Sequence, residues 1–423
     1  MKKHLRLAAI LAGAAIIAAA CGTPAATTAP SAAPGVSVAP STPAESGVPA
    51  SEAPAALSGS VTLWHSYGSG GGETGALTTV LDQVRAANPE LTIEVVEQPF
   101  DQIFTKWRTD VAAGEGADMF IAPNDSLGQD AREESLLNLD EYLAGNPALE
   151  GYLPVALEGS KVDGVFYMVP ESLKAVALWY DKSALPTPPT TSDELLAGVT
   201  DGSIKIGINQ GVYHQFGWTG AFGGELMDAS GKCTADTTGF ADAFAYLKSL
   251  QAAGASFNTD GNALKTDFQT GKLNAIIDGP WQTADFRTAL GDNLAVTTIP
   301  AGPSGAANPF TGTDGWYINP NLEADQAQLA VNVALALTAP AAEQVFVDDA
   351  GHVPANPAVA ITDPITQGFA DAAAAGLPRP QNAQFNNWWA PFGDALNKVI
   401  DTGTEPATAV TEACALMNEA SGL

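Results

Sequence analysis

The sequence predicts an α/β body made of two sheet-and-helix units, and three observations carry that prediction. Strand-like and helix-like segments alternate along the first part of the body. The same alternation returns beyond residue 200. No short-period repeat is present, which excludes a solenoid.

The elements follow in chain order. A strand runs through Ser60-Val-Thr-Leu-Trp-His-Ser66 and ends in a glycine-rich turn, Gly68 to Gly72. Leu77, Val80, Leu81 and Val84 then recur at helical spacing until Asn88-Pro89 stops the helix. A second strand, Leu91 to Glu97, is followed by Phe100, Ile103, Phe104, Trp107 and Val111, the apolar face of another helix. The turn Gly114 to Asp118 leads into a short strand, Met119 to Ala122. The second unit repeats the rhythm with a strand at Ile204 to Asn209, a helix at Phe240 to Ala253 and a strand at Asn274 to Asp278. Parallel strands need crossover helices, so this alternation predicts sheets covered by helices.

The start of the chain has another character. Lys2, Lys3 and Arg6 precede an apolar run of 14 residues, Leu7 to Ala20. That run is short for a spanning helix and suits a signal-peptide core. Ala18, Ala19 and Ala20 then meet Cys21, which resembles the lipobox of bacterial lipoproteins. The resemblance implies cleavage after residue 20 and a lipidated, palmitate-bearing Cys21. Ala18 stands where such motifs usually carry Leu. Residues 21–56 are rich in Pro, Ala, Ser and Thr, with no aromatic residue, Lys or Arg, and read as a disordered tether. The expected location is extracytoplasmic, at the outer face of the cell membrane, with contact through the lipid.

Charge and cysteines narrow the partners. The whole chain carries a net charge of −29; losing residues 1–20 removes three basic residues and no acid, leaving −32. Nucleic acid and anionic lipid surfaces are poor partners for such a body. Cys233 and Cys414 remain after Cys21, either as a pair, suited to an oxidising compartment, or as two separate buried thiols.

Few motifs point to catalysis. Gly70, Gly72 and Gly75 spell GxGxxG between a strand and a helix, with Glu97 at the end of the next strand. Nicotinamide cofactors are scarce outside the cytoplasm, and the same turn can offer backbone N–H groups to hydroxyls or anions. Glu73 stands where a P-loop needs Lys. His65, His214 and His352 are scattered without metal spacing, and no GxSxG elbow occurs. No cofactor, metal or enzymatic activity is expected.

Aromatic residues beside Gly, Asp and Asn carry the strongest signal. Trp281 follows Asp278-Gly-Pro, Trp316 and Tyr317 follow Gly312-Thr-Asp314-Gly315, and Trp388-Trp389 lie in an Asn-rich stretch. Tyr213, Phe216 and Trp218 cluster beside glycines. Flat rings stack on the C–H faces of sugars, while carboxylates and amides serve their hydroxyls.

At these residues the body, from about Val61 to Met417, resembles the solute-binding proteins of sugar ABC transporters, above all the maltose and maltodextrin binders. The resemblance rests on Pro170-Glu-Ser-Leu-Lys-Ala-Val-Ala-Leu-Trp-Tyr-Asp-Lys182 with Leu185-Pro-Thr-Pro-Pro189, and on Phe268-Gln-Thr-Gly-Lys-Leu-Asn-Ala-Ile-Ile-Asp-Gly-Pro-Trp281. Pro309-Phe-Thr-Gly312 and Leu377-Pro-Arg-Pro-Gln381 add to it. It implies a type II-like periplasmic-binding-protein fold, two mostly parallel sheets in two lobes with a closing cleft. Residues 57–173 and 315–363 would form one lobe, and 174–314 and 364–423 the other. Cys233 and Cys414 then share a lobe, which makes their disulfide plausible.

The resemblance also implies a site. Trp281 matches the family's stacking Trp, Trp388 its C-terminal platform, Asp125 a turn carboxylate and Tyr213 a cleft tyrosine. His65, Tyr67 and Ser69 occupy the first glycine turn. Lys174, Phe216, Asp314, Trp316 and Trp389 complete the expected ligand contacts. Four departures separate this chain from maltose binders: Gly68-Ser69 replaces Asp-Lys, Ser126 a basic residue, and Lys174 and Gly211 two glutamates. The expected function is capture of a mono- or oligosaccharide by a monomer that delivers it to permease subunits. A non-sugar solute such as a polyamine, peptide or osmolyte is the alternative, and an exported enzyme the third reading.

Overall fold

The computed structural model describes residues 56–68 and 71–423 of the chain. The expected leader, the expected lipid attachment at Cys21, the expected tether up to residue 55 and Ser69 lie outside the described residues. The strands in chain order are β1 (Gly59–His65), β2 (Leu91–Glu97), β3 (Met119–Pro123), β4 (Lys161–Val162), β5 (Val165–Phe166), β6 (Val169–Lys174) and β7 (Ala177–Asp181). They continue with β8 (Ile206–Asn209), β9 (Ser256–Asn258), β10 (Ala275–Asp278), β11 (Leu294–Thr297), β12 (Phe310–Ile318), β13 (Val353–Pro354) and β14 (Leu377–Pro378).

Two sheets organise the fold, one in each lobe. The first has the order β13-β6-β12-β3-β1-β2, with β14 paired to β12. The second has the order β11-β7-β10-β8-β9. This is the two-lobe α/β arrangement of periplasmic binding proteins. The sheets are mixed, however. Pairs β1–β2, β1–β3, β8–β9 and β8–β10 are parallel, as the βαβ alternation demands. β12 runs antiparallel to β3 and β6, and β7 antiparallel to β10 and β11, because these strands enter from the other lobe rather than through a crossover helix. The chain reaches the second sheet between Lys174 and Ala177 and returns at Phe310, ahead of the Gly315 boundary expected from sequence. β14, expected in the second lobe, lies on the first sheet beside Phe310 and Thr311.

Local chemistry accounts for the helices that frame the cleft. The Gly72–Ala87 helix buries Ala76, Leu77, Val80, Leu81 and Val84, the i, i+3, i+4 stripe read from sequence. The Phe100–Ala112 helix buries Ile103, Trp107 and Val111, whereas Phe100 at its start is 51% exposed. The Ser192–Asp201 helix begins with a capping box between Thr191 and Glu194 and ends at Gly202 in the left-handed region. Behind the second sheet, Phe240, Phe244, Trp388, Phe392 and Leu396 form an apolar core, closed by the Cys233–Cys414 disulfide with a Cα–Cα separation of 5.4 Å. Among the described residues no single helix is long and apolar enough to cross a membrane.

Candidate ligand cleft

Open α/β sheets place ligands at the carboxyl ends of their parallel strands. Here β1 ends at His65, β3 leads into Asn124 and Asp125, β8 into Gly211-Val-Tyr213, and β10 into Gly279-Pro-Trp281. The side chains at these four ends fall into two groups.

An aromatic wall belongs to the second lobe. Tyr213 lies 6.4 Å from Trp281 and 6.5 Å from Trp389, ring centre to ring centre, inclined by 33° and 46°. His214 meets Trp281 edge-on at 6.2 Å. Gly279 makes this geometry possible, since a Cβ there would stand 2.1 Å from the Trp281 ring. Trp281 and Trp389 are each partly exposed.

Arg379 carries the wall over to the first lobe. Its guanidinium sits 5.4 Å from the Tyr213 ring centre and donates to Asp125 and to Asn124 Oδ1. Gln381 fixes that segment: its Nε2 donates to the Asn124 carbonyl, and its Oε1 accepts from the Gly128 N–H at 3.0 Å. Burial pushes the Tyr213 phenol up to about 12; Arg379 pulls it down and Asp125 raises it. Tyr213 therefore stays a neutral donor at any physiological pH.

The floor of the first lobe is a buried charge network. Lys174 Nζ donates to Glu73 Oε1 at 2.8 Å and to Asp314 Oδ2 at 2.7 Å. His352 spans Glu171, with Nδ1 3.0 Å from Oε1, and Glu73, with Nε2 2.9 Å from Oε1. The Lys174 ammonium lies 5.7 Å from the Tyr67 ring centre. Burial alone would neutralise these groups. It opposes charge on Lys174, yet Asp314 and Glu73 outweigh it and raise the lysine. Burial likewise opposes charge on His352, but Glu171 and Glu73 lift it to about 9. Burial works against Glu73 too, and Lys174 with His352 bring it down to about 2. The carboxyl groups of Glu73, Glu171 and Asp314 thus surround the Lys174 and His352 nitrogens. At the edge of this network His65 is pushed below its ordinary value by burial, against Glu97 and Glu73, and is neutral.

Residues 79–375 match the family of bacterial extracellular solute-binding proteins. This chain is a member of that family. The solute-binding protein resembles the maltooligosaccharide ABC transporter solute-binding lipoprotein of Streptococcus pneumoniae, 25% identical over 403 residues, 85% of this chain and 92% of the relative. Among solved structures it is similar to the Thermus thermophilus maltotriose-binding protein bound with maltotriose, with a TM-score of 0.76 and 26% identity over 86% of this chain and 100% of that one. It shares its fold with the maltose/maltodextrin-binding domain MalE of Bdellovibrio bacteriovorus bound to maltotriose, with a TM-score of 0.78 and 22% identity over 86% and 100% of the chains.

The sequence-derived residues divide accordingly in this solute-binding protein. Tyr213, Trp281 and Trp389 come together in the wall, and Asp125 stands across from them. His65, Tyr67, Lys174 and Asp314 gather on the floor, largely buried. Three expectations need correction. Trp388 is fully buried, 4.5 Å from Trp389 and packed on Phe216, Phe310 and Phe392, and Trp389 is the partly exposed ring of the pair. Phe216 stacks on Phe310 at 3.6 Å inside the core. Trp316 is buried within β12, paired to Ile121 and Val169.

Sequence reasoning missed Glu73, Glu171, His352 and Arg379 as cleft-forming groups. Arg379 had a signal, a lone cation between two prolines in a segment already singled out. Glu73 and His352 are 279 residues apart, and no local pattern joins them.

Proposed function

We propose that this protein captures a maltooligosaccharide-class sugar outside the cytoplasm, held to the membrane through a lipid on Cys21, and delivers it to the permease of an ABC importer. The observation that carries the sugar reading is the wall of Tyr213, Trp281 and Trp389 facing Arg379 and Asp125. Inclined, partly exposed rings suit the apolar faces of a short pyranose chain, and charge-assisted hydrogen bonds suit its hydroxyls. Relatives whose own ligands are maltotriose and maltooligosaccharides support the same class. The lipid anchor is supported by the Cys21 context and by the lipoprotein among those relatives.

Lys174, in place of a glutamate, is satisfied internally by Glu73 and Asp314. The sugar's hydroxyls are therefore served from the Arg379–Asp125 side and the wall, a different pattern from that of maltose binders.

Titration calorimetry with maltose, maltotriose and a galactose-based trisaccharide tests the reading. Micromolar binding of at least one, about 8 kcal/mol, is expected. Trp281→Ala and Trp389→Ala should each weaken it by tenfold or more, with Phe replacements recovering most of the loss. Absence of heat and of thermal stabilisation with every saccharide would sink the sugar assignment.

A further inference from the structure

The Thr283–Leu290 helix begins two residues after Trp281 and packs beyond its own lobe. Thr283 is buried against Gly351, which adopts φ 74° at the end of the Phe346–Ala350 turn of the first lobe. A Cβ on Gly351 would stand 2.7 Å from Thr283 Oγ1. Ala284 lies against Gly72, the first residue of the Gly72–Ala87 helix. A Cβ on Gly72 would stand 2.9 Å from Ala284 Cβ and 3.0 Å from the Asp349 carbonyl oxygen. Further along, Phe286 packs on Trp179 at 5.3 Å, and Arg287 Nη2 donates to Asp363 at 2.6 Å.

We infer that the first turn of this helix is a closing latch, and that Gly72 and Gly351 form its seat on the opposite lobe. The two glycines stand where any side chain would hold the lobes apart. Both sides of the seat connect directly to the cleft. Trp281 is joined to Thr283 through one residue, and Glu73, next to Gly72, is held by Lys174 and His352. A ligand stacked on Trp281 fixes the 280–284 turn in the orientation that docks. Docking in turn fixes the floor beneath the ligand. The latch rests on the solute-capture reading for its biological use.

The test introduces wedges from each lobe into the otherwise intact mature protein. Gly72→Ala and Ala284→Leu are compared by small-angle X-ray scattering, without ligand and with maltotriose, and by maltotriose titration. If each wedge lowers the docked population tenfold, the apparent affinity falls about tenfold, and the radius of gyration with maltotriose moves toward the ligand-free value. Adding Ala284→Gly to Gly72→Ala removes the 2.9 Å encounter, and affinity should return toward wild type. Wild-type melting profiles for both wedged variants separate the effect from misfolding. Wild-type affinity and wild-type scattering in both wedged variants would overturn the latch, as would lost affinity with unchanged scattering. Failure of maltotriose to bind the wild type indicts the sugar reading instead, and a larger ligand-free radius in the wedged variants still supports the latch.

Discussion

Lys174 and His352 each face two carboxylates in a region closed to water, and their removal has different consequences. Lys174→Met leaves Asp314 without its cation and Glu73 with His352 alone, and breaking a buried pair in this way costs about 3–5 kcal/mol. The melting temperature should fall by several degrees even at neutral pH. For His352 the sign follows from its value, lifted from 6.5 to about 9. Its stabilisation is complete below about pH 6.5 and is lost as pH rises through about 9. Glu343, pushed up to about 9 by burial, contributes in the same direction. Glu73 acts at the other limb, where stability is lost as pH falls from its ordinary 4.5 through about 2. Melting curves between pH 6 and 10 should therefore decline in the wild type and decline less steeply in His352→Gln. A parallel decline in both would show that His352 does not carry the charge.

At the scale of elements, legibility tracked locality. The Gly72–Ala87 helix was readable because its buried stripe repeats every three or four residues, and β1 and β2 because apolar runs end in turn residues. β6 was not. It is buried along its whole length yet contains Glu171 and Lys174, whose partners are His352 just ahead of β13, Asp314 on β12 and Glu73 on the Gly72–Ala87 helix. Charges inside a buried strand defeat any apolar pattern until those distant partners are known. The Trp388-Trp389 pair failed for a geometric reason. Consecutive residues at a helix start point about 100° apart, so one ring entered the core and the other faced the cleft, and nothing local states which. The disulfide joins the strand-like Met227–Cys233 bridge to the Pro406–Ala420 helix across 181 residues. On the chain-entropy account such a loop contributes about 5 kcal/mol. Cys233→Ser, or reduction of the wild type, should lower the melting temperature markedly while leaving saccharide affinity near wild type, since neither cysteine touches the wall.

For the molecule as a whole, the chain passes between the two sheets three times, near residues 174–177, at Phe310 and after β14. Ligand present at about 100 times its dissociation constant should stabilise the protein by about 2.7 kcal/mol. Wild-type melting temperatures should therefore rise with the logarithm of saccharide concentration, and Trp281→Ala should abolish the rise at the same concentrations.

The burial pattern of the tryptophans makes the protein its own optical reporter. Of the eight in the chain, Trp64, Trp107, Trp179, Trp218, Trp316 and Trp388 are buried in the cores, Trp64 least completely at 5% exposure, whereas Trp281 and Trp389 are partly exposed. Emission from the buried six is a constant background. Quenching by iodide and any spectral shift on adding a saccharide must then come from the cleft. A blue shift with loss of iodide quenching, saturating at the calorimetric affinity, is the expected signal. No dye or label is needed to follow occupancy.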